Sequence, residues 1–200
     1  MSNREHHWVL SARRNPISTL GYLRSVILSV SVLVIYLITR FPASQFREPV
    51  FQAWAFLHRH LYMVDGWSPE GVIYNNRAYL IHPPLSAVAM LPSVLLQGLN
   101  ANQSLVCVLL GVTGVILVAR LTNNLWLTSF FAFGTIFWYE SILGSQWGMC
   151  LVLSVIPTTL ALIGVREKWS PYLVGLCAGI AFLARYDLAL AWPVYLCLID

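Results

Sequence analysis

The sequence predicts an all-α integral membrane protein: a polytopic helix bundle whose long first outer loop carries interfacial amphipathic helices. Three observations carry this. Of the 200 residues, 58% are hydrophobic and only 10% are charged, with a mean hydropathy of +0.69. A soluble domain carries about 25% charged residues, so the chain has too few charges to cover itself with a solvated surface. The apolar residues also fall in blocks, and five approach the ~20 residues a helix needs to cross a bilayer. Finally, residues 41–103 interrupt these blocks with a polar, proline-containing stretch.

The spanning blocks are read at 20–40, 104–120, 124–139, 148–165 and 171–185, with a sixth from 188 onward. The N-terminal run "MSNREHHWVLSARRNPISTLGYLRS" is basic but has no small-residue cleavage site, which predicts an uncleaved first helix. Cytoplasmic flanks carry Lys and Arg. Arg4, Arg13, Arg14 and Arg24 therefore place the N-terminus inside. The segment 84–98 is short and holds Pro92. If it stays on the outer face, Arg120, Arg166 and Lys168 also lie inside; if it crosses, all three lie outside. The charge rule selects the first arrangement.

The outer loop then runs over about 41–103. In "EPVFQAWAFLHRHLYMV", Val50, Phe51, Trp54, Ala55, Phe56, Leu57 and Leu61 are spaced for an amphipathic helix in the headgroup plane. "DGWSPEGVIYNN" is turn chemistry. A second interfacial helix follows His82-Pro83-Pro84-Leu85, with proline at its start, where a missing N–H costs little. This topology gathers Glu48, Asp65, Glu70, His82, Glu140, Arg185 and Asp187 on one face.

The net charge of +4 comes from twelve scattered Lys and Arg rather than a basic face, which argues against nucleic-acid binding. Anionic headgroups and phosphates fit better. Cys107, Cys150, Cys177 and Cys197 all lie in apolar runs without a CxxC pair and read as small hydrophobes. No P-loop, GxSxG elbow or HExxH zinc motif is present.

Each candidate residue has two readings. Glu48 is either a helix-start acid favoured by the dipole or a carboxylate with chemistry to do. Glu140 lies among Trp138, Tyr139 and Trp147, an aromatic belt, but a belt does not account for a carboxylate at membrane depth. Arg185 and Asp187 are either a structural pair or a guanidinium fork for a phosphate. His82 either closes a turn or binds substrate, and Asp65 and Glu70 flank turns.

The ordered set "REPVFQAWAFLHRHLY", "YNNRAYLIHPPLSAVAMLP", "FAFGTIFWYESILGSQW" and "LVGLCAGIAFLARYDLALAWP" resembles the GT-C superfamily of membrane glycosyltransferases. Protein O-mannosyltransferases and aminoarabinose transferases belong to it. The likeness covers about residues 20–199. It implies a single transmembrane domain over 1–200, the N-terminal part of a longer bundle in a bacterial cell membrane. It further implies sugar transfer from a polyprenyl-phosphate donor to a protein, lipid or glycan acceptor at the outer face. Glu48 would act as base, Glu140 would assist, and Arg185, His82 and Asp187 would bind substrate. Some members use a divalent metal ion and others do not. The Asp-Glu or Asp-x-Asp signature of that family is missing around Glu48. A lipid or solute transporter and a catalytically incomplete membrane fragment remain as rival readings.

Overall fold

A computed structural model describes residues 19–42, 46–64 and 70–198. The predicted Arg4, Arg13, Arg14 and Asp65 lie outside the described residues. The chain is mostly helical, at 76%. The helices are α1 (Thr19–Thr39), α2 (Glu48–Leu57), α3 (Leu85–Gln97), α4 (Gln103–Thr122), α5 (Leu125–Phe133), α6 (Ile136–Leu143), α7 (Gln146–Arg166), α8 (Pro171–Ala184) and α9 (Trp192–Leu198). Among the described residues two helices, α4 and α7, are long and apolar enough to cross a membrane.

Side-chain caps set most of the helix starts. Asn102, Asn124, Thr135, Ser145 and Ser170 each accept a backbone N–H from the first turn of the helix they precede. The block read as one helix over 124–139 is in fact α5 and α6, broken at Gly134-Thr135. There the Thr135 hydroxyl accepts from Phe137 N (3.2 Å) and donates to Phe131 O (2.8 Å). These local bonds give the backbone an alternative to a continuous ladder. The amphipathic helix read over 48–64 stops at Leu57. The His58 N–H folds back onto the last turn and Arg59 takes a left-handed φ of 62°.

Residues 71–80 are a correction to the all-α reading. Strand β1 (Gly71–Tyr74) pairs antiparallel with β2 (Arg77–Leu80). Asn75 and Asn76 form the connection with φ of 48° and 58°, the left-handed pair that suits a two-residue hairpin turn. The last block begins as a 3-10 helix over Tyr186–Ala191 before α9.

The main core joins Val32 and Tyr36 of α1 to Cys107, Val108, Val112 and Val115 of α4, Phe137 of α6, and Met149 and Val152 of α7. The Tyr36 hydroxyl donates to Ala132 O at 2.7 Å, tying α1 to α5. At one end of the bundle, Arg120 Nη2 meets both carboxylate oxygens of Glu167 at 3.0 Å. Arg166 Nη2 donates to Arg120 O at 3.0 Å. Arg166 thus covers the carbonyl end of α4, and α4 and α7 each carry an arginine in the last turn, where the helix dipole favours it.

The other end holds both termini of α3. Its first turn lies near α7, where Gln146 Nε2 comes within 3.5 Å of Ser86 Oγ. Its last turn leads through Leu99 directly into α4. Thirteen helical residues span about 20 Å, and α3 spends that length alongside α2 at this one end rather than running to the other.

Candidate functional site

Glu140, Glu70 and His82 converge on the start of α7. The turn before it depends on Gly144, which has a φ of +61° and lies so close to α4 that a Cβ would fall 2.6 Å from Ser104 Cα. Gln103 is buried, and its amide donates to Gly144 O (2.6 Å) and to Phe46 O (3.0 Å). Ser104 Oγ donates to Phe41 O at 2.7 Å. One buried amide thereby joins the segment leading into α2 to the turn between α6 and α7. Arg47 extends this junction by donating to Leu99 O and, at 3.4 Å, to Ala101 O. Glu48, the next residue, opens α2 and is only 3% exposed.

Glu140 reaches the same turn from α6. Its carbonyl accepts from Gly144 N at 3.2 Å. Its carboxylate packs over Gly148, where an added Cβ would lie 2.5 Å from Oε2. Only glycine at position 148 leaves room for that carboxylate, with the Ser145 hydroxyl beside it.

The third group comes from the loop. The two-residue hairpin returns the chain so that Gly71 pairs with Leu80, which carries Glu70 alongside the Ile81-His82 segment. The buried His82 imidazole bonds through Nε2 to Glu70 Oε2. Glu70 Oε1 accepts from Trp147 Nε1 at 3.2 Å. The His82 and Trp147 rings meet edge to face, with centroids 4.9 Å apart and planes at 84°. The carboxylate therefore orients both rings, and the Nε2–H tautomer of His82 would leave Nδ1 as the acceptor nitrogen.

Arg185 and Asp187 stand at the end of α8 and pair through two hydrogen bonds, Nε to Oδ1 at 3.0 Å and Nη2 to Oδ2 at 2.7 Å. The bond from Arg185 holds the Asp187 carboxyl below the usual carboxylate range. α8 returns along α7 after the 167–170 connection and also contacts α3, so Arg185 lies toward the end of the bundle where α7 begins. Among the described residues no hydrogen bond links Arg185 to Glu70, His82 or Glu140.

Among the described residues no three His, Cys, Asp or Glu side chains gather where they could hold an ion.

The residue types Glu48, His82, Glu140, Arg185 and Asp187 were all legible in the sequence. Trp147 was read only as part of an aromatic belt, and Glu70 as one of two loop acids. The signal for Glu70 was the paired asparagines between β-branched and aromatic residues in "VIYNNRAYL", which fold position 70 back onto position 82. Compared with known proteins, the chain matches no protein-family model, no curated protein and no solved structure.

Proposed function

We propose that the chain forms the reaction end of a membrane glycosyltransferase that moves a sugar from a polyprenyl-phosphate donor to an acceptor hydroxyl. The observation that supports this best is the gathering of four separated stretches at the end of the bundle where α7 begins. Glu48 arrives through the Gln103 junction, Glu140 over Gly148, Glu70 and His82 through Trp147, and Arg185 at the end of α8. Carboxylates, an imidazole and a guanidinium at one end of an apolar bundle suit chemistry on a phosphate-linked lipid.

In this reading α1, α4, the α5–α6 pair, α7 and α8 cross the membrane, and the N-terminus is cytoplasmic. Arg120, Arg166 and Lys168 lie at the end opposite the site, which agrees with the cytoplasmic preference of basic residues. Helices α2 and α3 form a ledge at the outer face, along which the donor lipid enters.

The acceptor oxygen attacks the anomeric carbon, and the bond from that carbon to the phosphate oxygen breaks. Its electron pair leaves with the polyprenyl phosphate. The acceptor proton passes to a carboxylate, Glu48 first and Glu140 second. Arg185 keeps three N–H groups beyond those bonded to Asp187, and these stabilise the leaving phosphate.

The test reconstitutes the protein in nanodiscs and supplies polyprenyl-phosphate-linked hexoses with a panel of protein, lipid and glycan acceptors. Sugar transfer with release of polyprenyl phosphate is the expected result. Failure to bind either the donor or polyprenyl phosphate itself removes the transferase reading.

A further inference from the structure

We propose that Trp147 and Glu70 form a sugar subsite in which a pyranose ring stacks on the indole and its hydroxyls donate to the carboxylate. Trp147 is 64% exposed although it lies in the first turn of α7, at the centre of the site. An aromatic residue of a membrane belt presents its N–H to water or headgroups. This indole is instead fixed by a bond from Nε1 to Glu70 Oε1 at 3.2 Å, and by edge contact with the buried His82 ring. Glu70 is itself held by His82. The exposed ring face is a built surface.

The two exposed groups specify the ligand chemistry. The Glu70 carboxylate accepts from Trp147 and is bonded to His82. Its side chain is 37% exposed and borders the open face of the indole, where a carboxylate accepts from a ligand's donors. An anion would be repelled there, and a hydrocarbon chain would leave the carboxylate unused. A neutral pyranose has an apolar C–H face for the indole and a rim of hydroxyl donors for the carboxylate. His82 acts as a positioning residue, holding Glu70 and bracing the indole.

The subsite deepens the transferase reading and rests on it for the source of the ring, which is the donor's sugar or an acceptor glycan. Dissociation constants are measured for the full chain in nanodiscs. One arm compares polyprenyl-phosphate glucose, mannose and galactose with polyprenyl phosphate alone. The other uses the free disaccharides of the same sugars. The sugar is expected to add about tenfold in affinity, the scale of one aromatic contact. Trp147→Ala should abolish that gain, Trp147→Phe should keep most of it, and Glu70→Gln should lose several-fold.

A gain confined to the lipid arm assigns the subsite to the donor, and one confined to the disaccharide arm assigns it to an acceptor. No sugar-dependent affinity in either arm overturns the subsite, as does a gain that survives Trp147→Ala. If that variant does not fold, an unchanged gain in Glu70→Gln overturns it. Disaccharide binding without any binding of polyprenyl phosphate would keep the subsite and remove the transferase reading.

Discussion

Arg185 holds Asp187 in a fork, Nε to Oδ1 at 3.0 Å and Nη2 to Oδ2 at 2.7 Å, two residues along the chain and partly open to solvent. Exposed pairs of this kind contribute about 0–1 kcal/mol. Asp187→Asn should therefore change the melting temperature by only a few degrees. Donor binding should follow the guanidinium instead. Arg185→Lys should retain part of the affinity for polyprenyl phosphate and Arg185→Leu should lose most of it, because a point charge replaces the fork only partially. Undiminished binding by folded Arg185→Leu removes the phosphate role.

Gly148 and Gly144 separate function from folding at the same turn. A Cβ at Gly148 would meet the Glu140 carboxylate at 2.5 Å and the Glu140 carbonyl at 2.9 Å. Gly148→Ala should displace the carboxylate and slow transfer by about tenfold or more, since small misplacements at a reacting centre are costly. At Gly144 the obstacle is the backbone of Ser104 and φ is positive. Gly144→Ala should cost stability, about 1–3 kcal/mol, read as a lower melting temperature. Equal effects of the two changes on melting would show that Gly148 makes room chiefly for the Glu140 carbonyl rather than for its carboxylate.

Those two glycines also show how far the sequence could be read. Apolar blocks located α1, α4, α7 and α8 within a few residues, because burial of long apolar runs is a local property of composition. The break between α5 and α6 was visible only as Gly134-Thr135, whose cap competes with helix continuation through individual hydrogen bonds. The hairpin was hidden because its strands have four residues each, and Val72, Ile73 and Tyr74 remain exposed rather than alternating in burial. The residue types at the site were legible, but their contacts were not. Glu70 and Trp147 meet across 77 positions, and no local periodicity encodes such a pair.

The position of α3 gives a topological prediction. Asn75 lies at the hairpin tip and Asn100 directly after α3, while Asn124 lies between α4 and α5. In a background without native cysteines, single cysteines at 75 and 100 should both react with an impermeant thiol reagent from outside. A cysteine at 124 should react only from the cytoplasmic side. Labelling of position 100 from the cytoplasmic side alone would invert every later helix.

At the opposite end, Glu167 titrates low because Arg120 donates to it, with further help from Trp169 and Arg166. A depressed carboxyl contributes stability above its unfolded value of about 4.3. That stability is lost as the pH falls through the lower folded value. Melting temperature should therefore decline below about pH 4.5, and Glu167→Gln should remove part of the decline. Salt at 1 M should also weaken the contribution, since the pair is exposed and the screening length is then about 3 Å. A variant with an unchanged acid limb would leave the Arg120–Glu167 contact without energetic weight.

Glu48 provides the most direct test of the chemistry. It opens α2 in the first turn, where the helix dipole favours an acid, and it is almost wholly buried. Gln keeps its size and much of its hydrogen bonding. Removing the charge from this buried helix start should cost about 0.3–2 kcal/mol, which leaves a helical bundle folded. Removing a general base should slow transfer by roughly 10²–10⁴-fold. Melting temperature and single-turnover rate are measured together for Glu48→Gln and for Glu140→Gln. A folded Glu48→Gln protein with a rate loss in that range makes Glu48 the proton acceptor. Near-normal turnover leaves it as the acid that starts α2 and passes the role to Glu140. The Glu140→Gln variant must then carry the loss, or neither carboxylate is the base.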